Sequence, residues 1–271
     1  DFPDEDQDAA YAETERVIIQ AVRFLQDSCC IPHVTLLPYG AVLYVVSRFF
    51  ALFPEPKRRN KELLKRWVWR TVSKMIDGGM SGAGVQTRFF LKSVRRGDES
   101  GSIQRLLESN GERSVGERVA IPIARMNRSD AKACVCAMWS YYVRAKDYEG
   151  AASIELFDSL VGDSGSASEL LVDYVDPHRV SDKENELYSS LANKVLLVDE
   201  RAHQDADAAR SFMDSHPDML ILPDGTGGAG SSGDTIHTLE RREELLSARV
   251  NEFFDLMMAW DYESFAPVEF K

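Results

Sequence analysis

The sequence has few cysteines, and none of them has the spacing of zinc ligands. Four occur among 271 residues. Cys29 and Cys30 are adjacent, whereas Cys134 and Cys136 lie two apart on a predicted helix and so point in different directions. Buried, reduced thiols are the simpler interpretation, and they favour a cytoplasmic protein.

Long apolar runs are also absent. The nearest candidate, residues 36–53, is interrupted by Pro38, Gly40 and Arg48, whereas a membrane span needs about 18 apolar residues in succession. We therefore predict a core helix here and no membrane partner. The acidic start, DFPDEDQDAAYAE, is unlike the basic start of a signal peptide. Because the sequence opens at Asp1 and not at a methionine, we expect it to be part of a longer protein.

Several motifs that identify enzymes do not occur. The sequence contains no GxxxxGK[ST] phosphate loop, no nucleophile elbow, no HExxH and no dinucleotide fingerprint. The glycines of GTGGAGSSG follow no convincing strand, so they do not indicate a phosphate-binding loop. Residues 224–234, which contain this segment, are predicted to form a flexible loop.

The patterns that are present predict a mainly α protein. A hydrophobic content of 44% is ordinary for a globular protein with a core, and the length allows two domains. We predict a helical bundle over residues 1–150 and a small α+β part over residues 151–271, with a strand in KVLLVD. Helices are predicted over residues 6–27, 37–53, about 57–77, 102–110 and 235–260. A further helix is predicted to end at about residue 96, and another to begin after an N-cap at Ser129 and Asp130.

Charge is distributed very unevenly along the chain. Between Lys57 and Arg96 there are twelve basic and two acidic residues, a net charge of +10. The whole chain carries −12, so the remainder carries −22. This asymmetry predicts a surface that binds a polyanion such as duplex DNA, or the acidic face of another protein. A solvated helix face that the acidic remainder neutralises is the alternative interpretation.

The candidate DNA-binding residues are the basic side chains of two neighbouring predicted helices. They are Arg58, Arg59, Lys61, Lys65, Arg66, Arg70, Lys74, Arg88, Lys92, Arg95 and Arg96.

The same stretch resembles a known family. LPYGAVLYVVSRFF, then RWVWRT, then GGMSGAGVQTRFFLKSVRRGD follow the order found in the helical middle of GmrSD-type restriction endonucleases, which are modification-dependent phage-defence proteins. Trp67, Trp69, Arg70, Ser81 and Gly82 fit this pattern, which covers residues 10–110 well and 150–260 more weakly. The resemblance implies a DNA-targeting restriction protein whose partner is the family's ParB-like domain, which does not occur in this sequence, or another subunit.

The resemblance also implies an HNH-like nuclease unit in the C-terminal part. Such a site uses a histidine to deprotonate water, ligands for one divalent metal, and an asparagine that orients the histidine. His178 matches the general base, and Asn193 matches the asparagine before a strand. Asp176 and His203 are the candidate ligands for Mg²⁺ or Mn²⁺, with Asp173 as another possible ligand.

Two positions depart from the HNH-like pattern. Pro177 replaces a metal-binding residue before the histidine, and Ser181 replaces a proline. An incomplete, structural version of the unit is therefore the preferred interpretation. Two classes of function stay open: a DNA-binding restriction protein, and a helical protein-interaction module that binds an acidic partner without catalysis.

Overall fold

The computed structural model of the chain describes residues 6–76, 83–110, 119–144, 171–176, 186–196, 208–209, 211 and 232–258. These residues form a mainly helical protein with one small two-stranded antiparallel sheet, as predicted. The α-helices are α1 (Gln7–Asp27), α2 (Ala41–Leu52), α3 (Arg58–Ile76), α4 (Ala83–Ser93), α5 (Glu99–Asn110), α6 (Ser129–Met138) and α7 (Ser232–Met258). The strands are β1 (Leu171–Asp173) and β2 (Lys194–Leu196). Short 3₁₀ turns occupy Val34–Leu36, Glu186–Ser189 and Leu191–Asn193, and a π-helical turn, Trp139–Arg144, follows α6.

Several element ends differ from the sequence-based expectation. Helix α2 begins at Ala41 instead of residue 37, and helix α5 begins at Glu99 instead of residue 102. Helix α4 ends at Ser93, so Arg95 and Arg96 lie in the turn that follows it. Ser129 is the first residue of α6 and does not cap it; its hydroxyl donates to the Pro38 carbonyl at 2.7 Å. Helix α7 begins at Ser232, so the end of the expected 224–234 loop is helical. Residues 224–231 lie outside the described residues.

The chain divides into two compact units whose boundaries differ from the expected one. The first unit comprises Asp1–Ile31, Tyr39–Glu117 and Phe254–Lys271, and the second comprises Pro32–Pro38 and Arg118–Phe253. The expected boundary between residues 150 and 151 therefore lies inside the second unit. Local composition does not reveal this division because each unit combines segments that are distant in sequence.

Helix α3 forms the centre of the first unit. Both tryptophans of the RWVWRT segment are buried in it: Trp67 meets the Phe90 ring at 5.3 Å, and Trp69 meets the Phe254 ring at 5.4 Å. The Trp69 indole N–H also donates to the Cys29 carbonyl at 2.9 Å. Edge-to-face contacts of this kind add to the large apolar burial of the rings. These tryptophans therefore hold the core together and are not available to a ligand.

Polar side chains fasten α3 to α5 at both ends. At the start of the helices, the Lys57 N–H and the Asn60 amide donate to the Glu99 carboxylate at 2.8 and 2.7 Å. At their ends, the Asn110 amide donates to the Trp67 carbonyl at 3.2 Å and to the Thr71 hydroxyl oxygen at 2.7 Å. The first residues of α3 contact the first residue of α5, and the last residue of α5 contacts the later part of α3. The two helices therefore run in the same direction.

Helix α7 organises the second unit. The buried Arg242 guanidinium donates to the carbonyls of Leu191, Ala192 and Lys194, where β2 begins. About two turns from the helix end, the Asn251 side chain accepts the Val119 N–H at 2.9 Å and donates to the Val119 carbonyl at 3.1 Å. Strand β2 pairs with β1 so that Asp173 faces Lys194.

All four cysteines are buried free thiols, as predicted. Burial raises the pKa of the Cys134 thiol far above its usual range, which keeps it protonated.

Replacing Asn110 with alanine should lower the free energy of unfolding by about 1 to 3 kcal/mol. The reason is that its buried amide holds two partners on α3, which would lose their hydrogen bonds. Chemical denaturation monitored by circular dichroism measures the change. Glu108→Ala, on the exposed side of the same helix, is the control and should shift stability by no more than about 0.5 kcal/mol. Equal effects of the two variants would contradict the assigned role of Asn110.

Candidate nucleic-acid interface

The basic residues of α3 do not form one exposed stripe. Helical spacing places Arg58, Lys61 and Lys65 on one face, and the first two are exposed. Lys65 is half-buried and pairs with Glu62 at 2.6 Å, which neutralises much of its charge locally. Arg66 is only 5% exposed, so it does not belong to the surface to which the sequence analysis assigned it. Sequence spacing failed here because α3 is packed on several sides, including the flank that carries Arg66.

The remaining basic residues of α3 are less accessible than expected. Arg59 and Arg70 are half-buried. The Lys74 ammonium lies 3.2 Å from the Asn110 carbonyl, at the end of α5, where a positive charge complements the helix dipole. Lys74 therefore has a structural contact within the first unit.

Helix α4 and the turn after it keep their positive charges in solvent. Arg88 and Lys92 are exposed and one helical turn apart, and Arg95 and Arg96 are exposed in the turn. The sequence from residue 83 to residue 97 contains no acidic residue. These four residues are therefore the predicted DNA-binding residues that the fold presents most openly.

The turn that carries Arg95 and Arg96 is held rigidly. Gly97 adopts a positive φ of 76°, a left-handed conformation that favours glycine. Asp98 then caps α5 by accepting the Gly101 N–H at 3.0 Å, and its other oxygen pairs with Arg105 at 2.9 Å. The hydrogen bond from Arg105 is the main cause that lowers the pKa of the Asp98 carboxyl.

Two guanidinium groups, those of Arg105 and Arg48, fix the end of α4. Arg105 donates to the Ser93 carbonyl at 3.0 Å, and Arg48 of α2 donates to the Val94 carbonyl at 3.3 Å. Both carbonyls lie at the helix C-terminus, where cations are favourable. The RRGD segment is thus a structured turn that holds two exposed arginines in place.

Glu99 brings the beginning of α3 to this turn. Its carboxylate accepts the Lys57 N–H, while Arg96 is only three residues away along the chain, a distance of at most about 11 Å. The exposed cations of two separate sequence segments therefore lie close together. We call this set the basic corner; its members are Lys57, Arg58, Lys61, Arg95 and Arg96.

An exposed aromatic residue adjoins the basic corner, and the sequence analysis did not single it out. Phe89 is 53% exposed and lies on the same face of α4 as Val85, Arg88 and Lys92, with the i, i+3, i+4, i+7 spacing of one helical face. The sequence does contain this pattern, because these apolar and cationic residues recur with the 3.6-residue period of an α-helix. It was overlooked because Phe89 and Phe90 together are typical of a core.

The C-terminal candidate residues have a structural arrangement around Asn193. This side chain is buried immediately before β2, as predicted. Its amide donates to Asp173, to the Val175 carbonyl and to the Tyr188 carbonyl, and its oxygen accepts the Val175 N–H at 2.9 Å. Asn193 therefore fixes the backbone that follows β1 and leads toward residue 178.

The described residues do not assemble a metal site. Asp173, one candidate ligand, is bound by the Lys194 ammonium at 2.5 Å and by the Asn193 amide, so its carboxylate is already compensated. Asp176 is described and half-buried, whereas His178 and His203 lie outside the described residues. Within the described part of the chain no three His, Cys, Asp or Glu side chains cluster in a way that could hold a metal ion.

Comparison with known proteins gave no relative. No protein-family model matches the chain, and no match was found among curated proteins or solved structures. Among the helices of the described residues, none has both the length and the apolar character of a membrane span.

The Asn193→Ala variant should lose at least about 2 kcal/mol of unfolding free energy, because four hydrogen bonds to buried or half-buried groups are removed together. Hydrogen–deuterium exchange should also accelerate at the amides of Tyr174 and Val175. Glu186→Ala, an exposed change in the neighbouring 3₁₀ turn, serves as the control. Unchanged exchange at Val175 in the Asn193 variant would refute the structural role.

The Asp98→Asn variant should be less stable than the parent at pH 6, because asparagine can still cap α5 but cannot pair with Arg105 as an anion. The folded state lowers the pKa of Asp98, so its stabilising effect is present above the ordinary carboxyl pKa and is lost as the pH falls below about 4. Urea unfolding midpoints measured from pH 3 to pH 7 should converge at the acid end. A difference that is independent of pH would contradict the charge-based account.

Proposed function

We propose that this protein binds DNA through the basic corner and the exposed face of α4, as part of a phage-defence restriction system of the GmrSD type. One observation carries the proposal: Glu99 brings the exposed cations at the start of α3 beside the turn that holds Arg95 and Arg96. The family assignment is supported by the order of the motifs in the sequence. A cytoplasmic location fits this proposal and stays a prediction.

The chemistry of the surface fits a phosphate backbone. Lysine and arginine side chains that neutralise phosphates release condensed counterions, and this supplies sequence-independent affinity. Exposed arginines also present forked donors that match phosphate oxygens. Six of the predicted DNA-binding residues are exposed and suited to this role: Arg58, Lys61, Arg88, Lys92, Arg95 and Arg96.

The acidic remainder of the chain supports a localised interface. A net charge of −22 outside the Lys57–Arg96 window disfavours contact between DNA and most of the remaining sequence. Binding should therefore be confined to the basic segment. Rigid positioning of Arg95 and Arg96 by the Gly97–Asp98 turn reduces the ordering cost when phosphates bind.

The same surface suits an acidic protein, and this is the alternative function. In that case the partner is the family's ParB-like domain or another subunit, and no catalysis takes place. Both functions need exposed cations, so they differ only in what binds. For the C-terminal part we propose an HNH-like unit that is retained for structure, because Asn193 and Asp173 are committed to internal contacts.

Replacing Arg88, Lys92, Arg95 and Arg96 together with glutamine should weaken binding to a duplex DNA at least tenfold at about 50 mM salt, because up to four phosphate contacts are lost. Fluorescence anisotropy with a labelled duplex measures this change. For the parent protein, affinity should fall steeply between about 50 and 200 mM salt, and the variant should show a shallower slope.

The control removes the same charge from other exposed positions: Arg16, Arg125, Arg128 and Arg241, all changed to glutamine. This control should bind as the parent does, apart from a small general effect of net charge. Failure of the parent to bind duplex DNA at low salt would favour the protein-interaction function. Equal losses of DNA affinity in the two quadruple variants would show that the interface does not lie on α4.

A further inference from the structure

The exposed face of α4 combines apolar and cationic side chains in one continuous strip. Val85 and Phe89 lie one turn apart, and Arg88 and Lys92 lie between and beside them on the same face. The opposite face of the helix carries the buried Phe90 and packs against the core. Phe90, and not Phe89, therefore supplies the aromatic ring by which α4 packs on the core, and the Phe89 ring is left in solvent.

A second exposed aromatic residue lies on the neighbouring helix. Tyr44 of α2 is 64% exposed and is one turn before Arg48 on the same helix face. The Tyr39 hydroxyl lies 3.3 Å from the Thr87 hydroxyl, and Arg48 reaches the Val94 carbonyl, so α2 and α4 run in the same direction. Tyr44 consequently lies along α2 between these two contacts with α4, and Phe89 lies along α4 between the same two contacts.

The charged residues of the two helices that carry these rings are of one sign. Neither α2 nor α4 contains an acidic residue, and both carry exposed arginine: Arg48 on α2 and Arg88 on α4. An exposed ring beside cations offers two kinds of contact at once, stacking of a flat ring and neutralisation of a phosphate. In duplex DNA the faces of the bases are covered by their neighbours, whereas in a single strand they are accessible.

We propose that Phe89 and Tyr44 form a stacking platform for unpaired bases, with Arg48, Arg88 and Lys92 binding the adjoining phosphates, so that this face of the first unit takes single-stranded nucleic acid. This proposal rests on the proposed function, since it names the form of nucleic acid that the same surface prefers. The preferred ligand is then a DNA region with unpaired bases, such as an opened or flipped-out segment, and the basic corner holds the flanking backbone.

An anionic lipid surface also attracts a cationic helix that carries apolar residues. The charge and the apolar residues suit both ligands. Single-stranded nucleic acid is favoured because the exposed rings lie on two neighbouring helices, and because the apolar part of the strip is confined to Val85 and Phe89. A helix that inserts into a bilayer presents a broader apolar face.

The test measures how the Phe89→Ala variant binds four probes by fluorescence anisotropy or co-sedimentation: an oligo(dT) of about 16 nucleotides, an abasic strand of the same length, a DNA duplex, and vesicles of anionic phospholipid. Phe89→Ala should weaken oligo(dT) binding about tenfold, because stacking on the ring is lost. Binding to the abasic strand and to the duplex should be unchanged, since neither offers an accessible base face. Phe89→Trp should retain or increase the affinity for oligo(dT).

The Tyr11→Ala variant is the matched control, because Tyr11 is an aromatic residue of α1 that is 66% exposed and is followed by Glu13 and Glu15. It should bind every probe as the parent does. Equal loss of oligo(dT) and abasic binding in Phe89→Ala, or no loss of either, would overturn the platform while leaving the DNA-binding function intact. Vesicle binding that depends on Phe89, without any oligo(dT) binding, would overturn it in favour of a lipid surface. If the parent binds neither duplex nor single strand, the proposed function itself fails.

Discussion

The Glu99 carboxylate is the contact on which the basic corner depends most directly. It accepts hydrogen bonds from the Lys57 N–H and the Asn60 amide, and so joins the start of α5 to the start of α3. The connection brings together exposed cations from residues 57–61 and 95–96, which are separated by two helices in the sequence. Without an acidic group at this point, like charges would repel the two helix starts. The half-buried Glu99 carboxylate thus permits an outer surface that is strongly cationic.

The two proposals differ in which property of this surface they use. Binding of duplex DNA needs only charge, which the basic corner and α4 provide. Binding of unpaired bases needs charge together with exposed rings, which Phe89 and Tyr44 provide. Helix α3 carries more basic residues than α4, yet each helix presents only two exposed cations, because the central position of α3 buries Arg66 and assigns Lys74 and Lys65 to contacts inside the unit.

Much of the candidate site could be predicted, and the exceptions have physical reasons. Charge density along the chain pointed to Arg88, Lys92, Arg95 and Arg96, whose side chains are exposed on α4 and in the turn after it. The same reasoning failed for Arg66, since periodicity assumes that a helix has one buried face. Asn193 was expected before a strand and lies there, but its partners, Val175 and Tyr188, could be identified only once the chain was folded.

By itself the sequence determined the helical character, the approximate positions of most helices and the uneven charge. These features follow from local rules: the period of apolar residues, the capping by Asp6, and the prolines after α2. Only the tertiary structure decided which separate stretches of the sequence combine into each of the two units, and which cations reach solvent. Those outcomes depend on contacts between residues far apart in the chain, such as Glu99 with Lys57 and Arg242 with Lys194, and no local pattern encodes them.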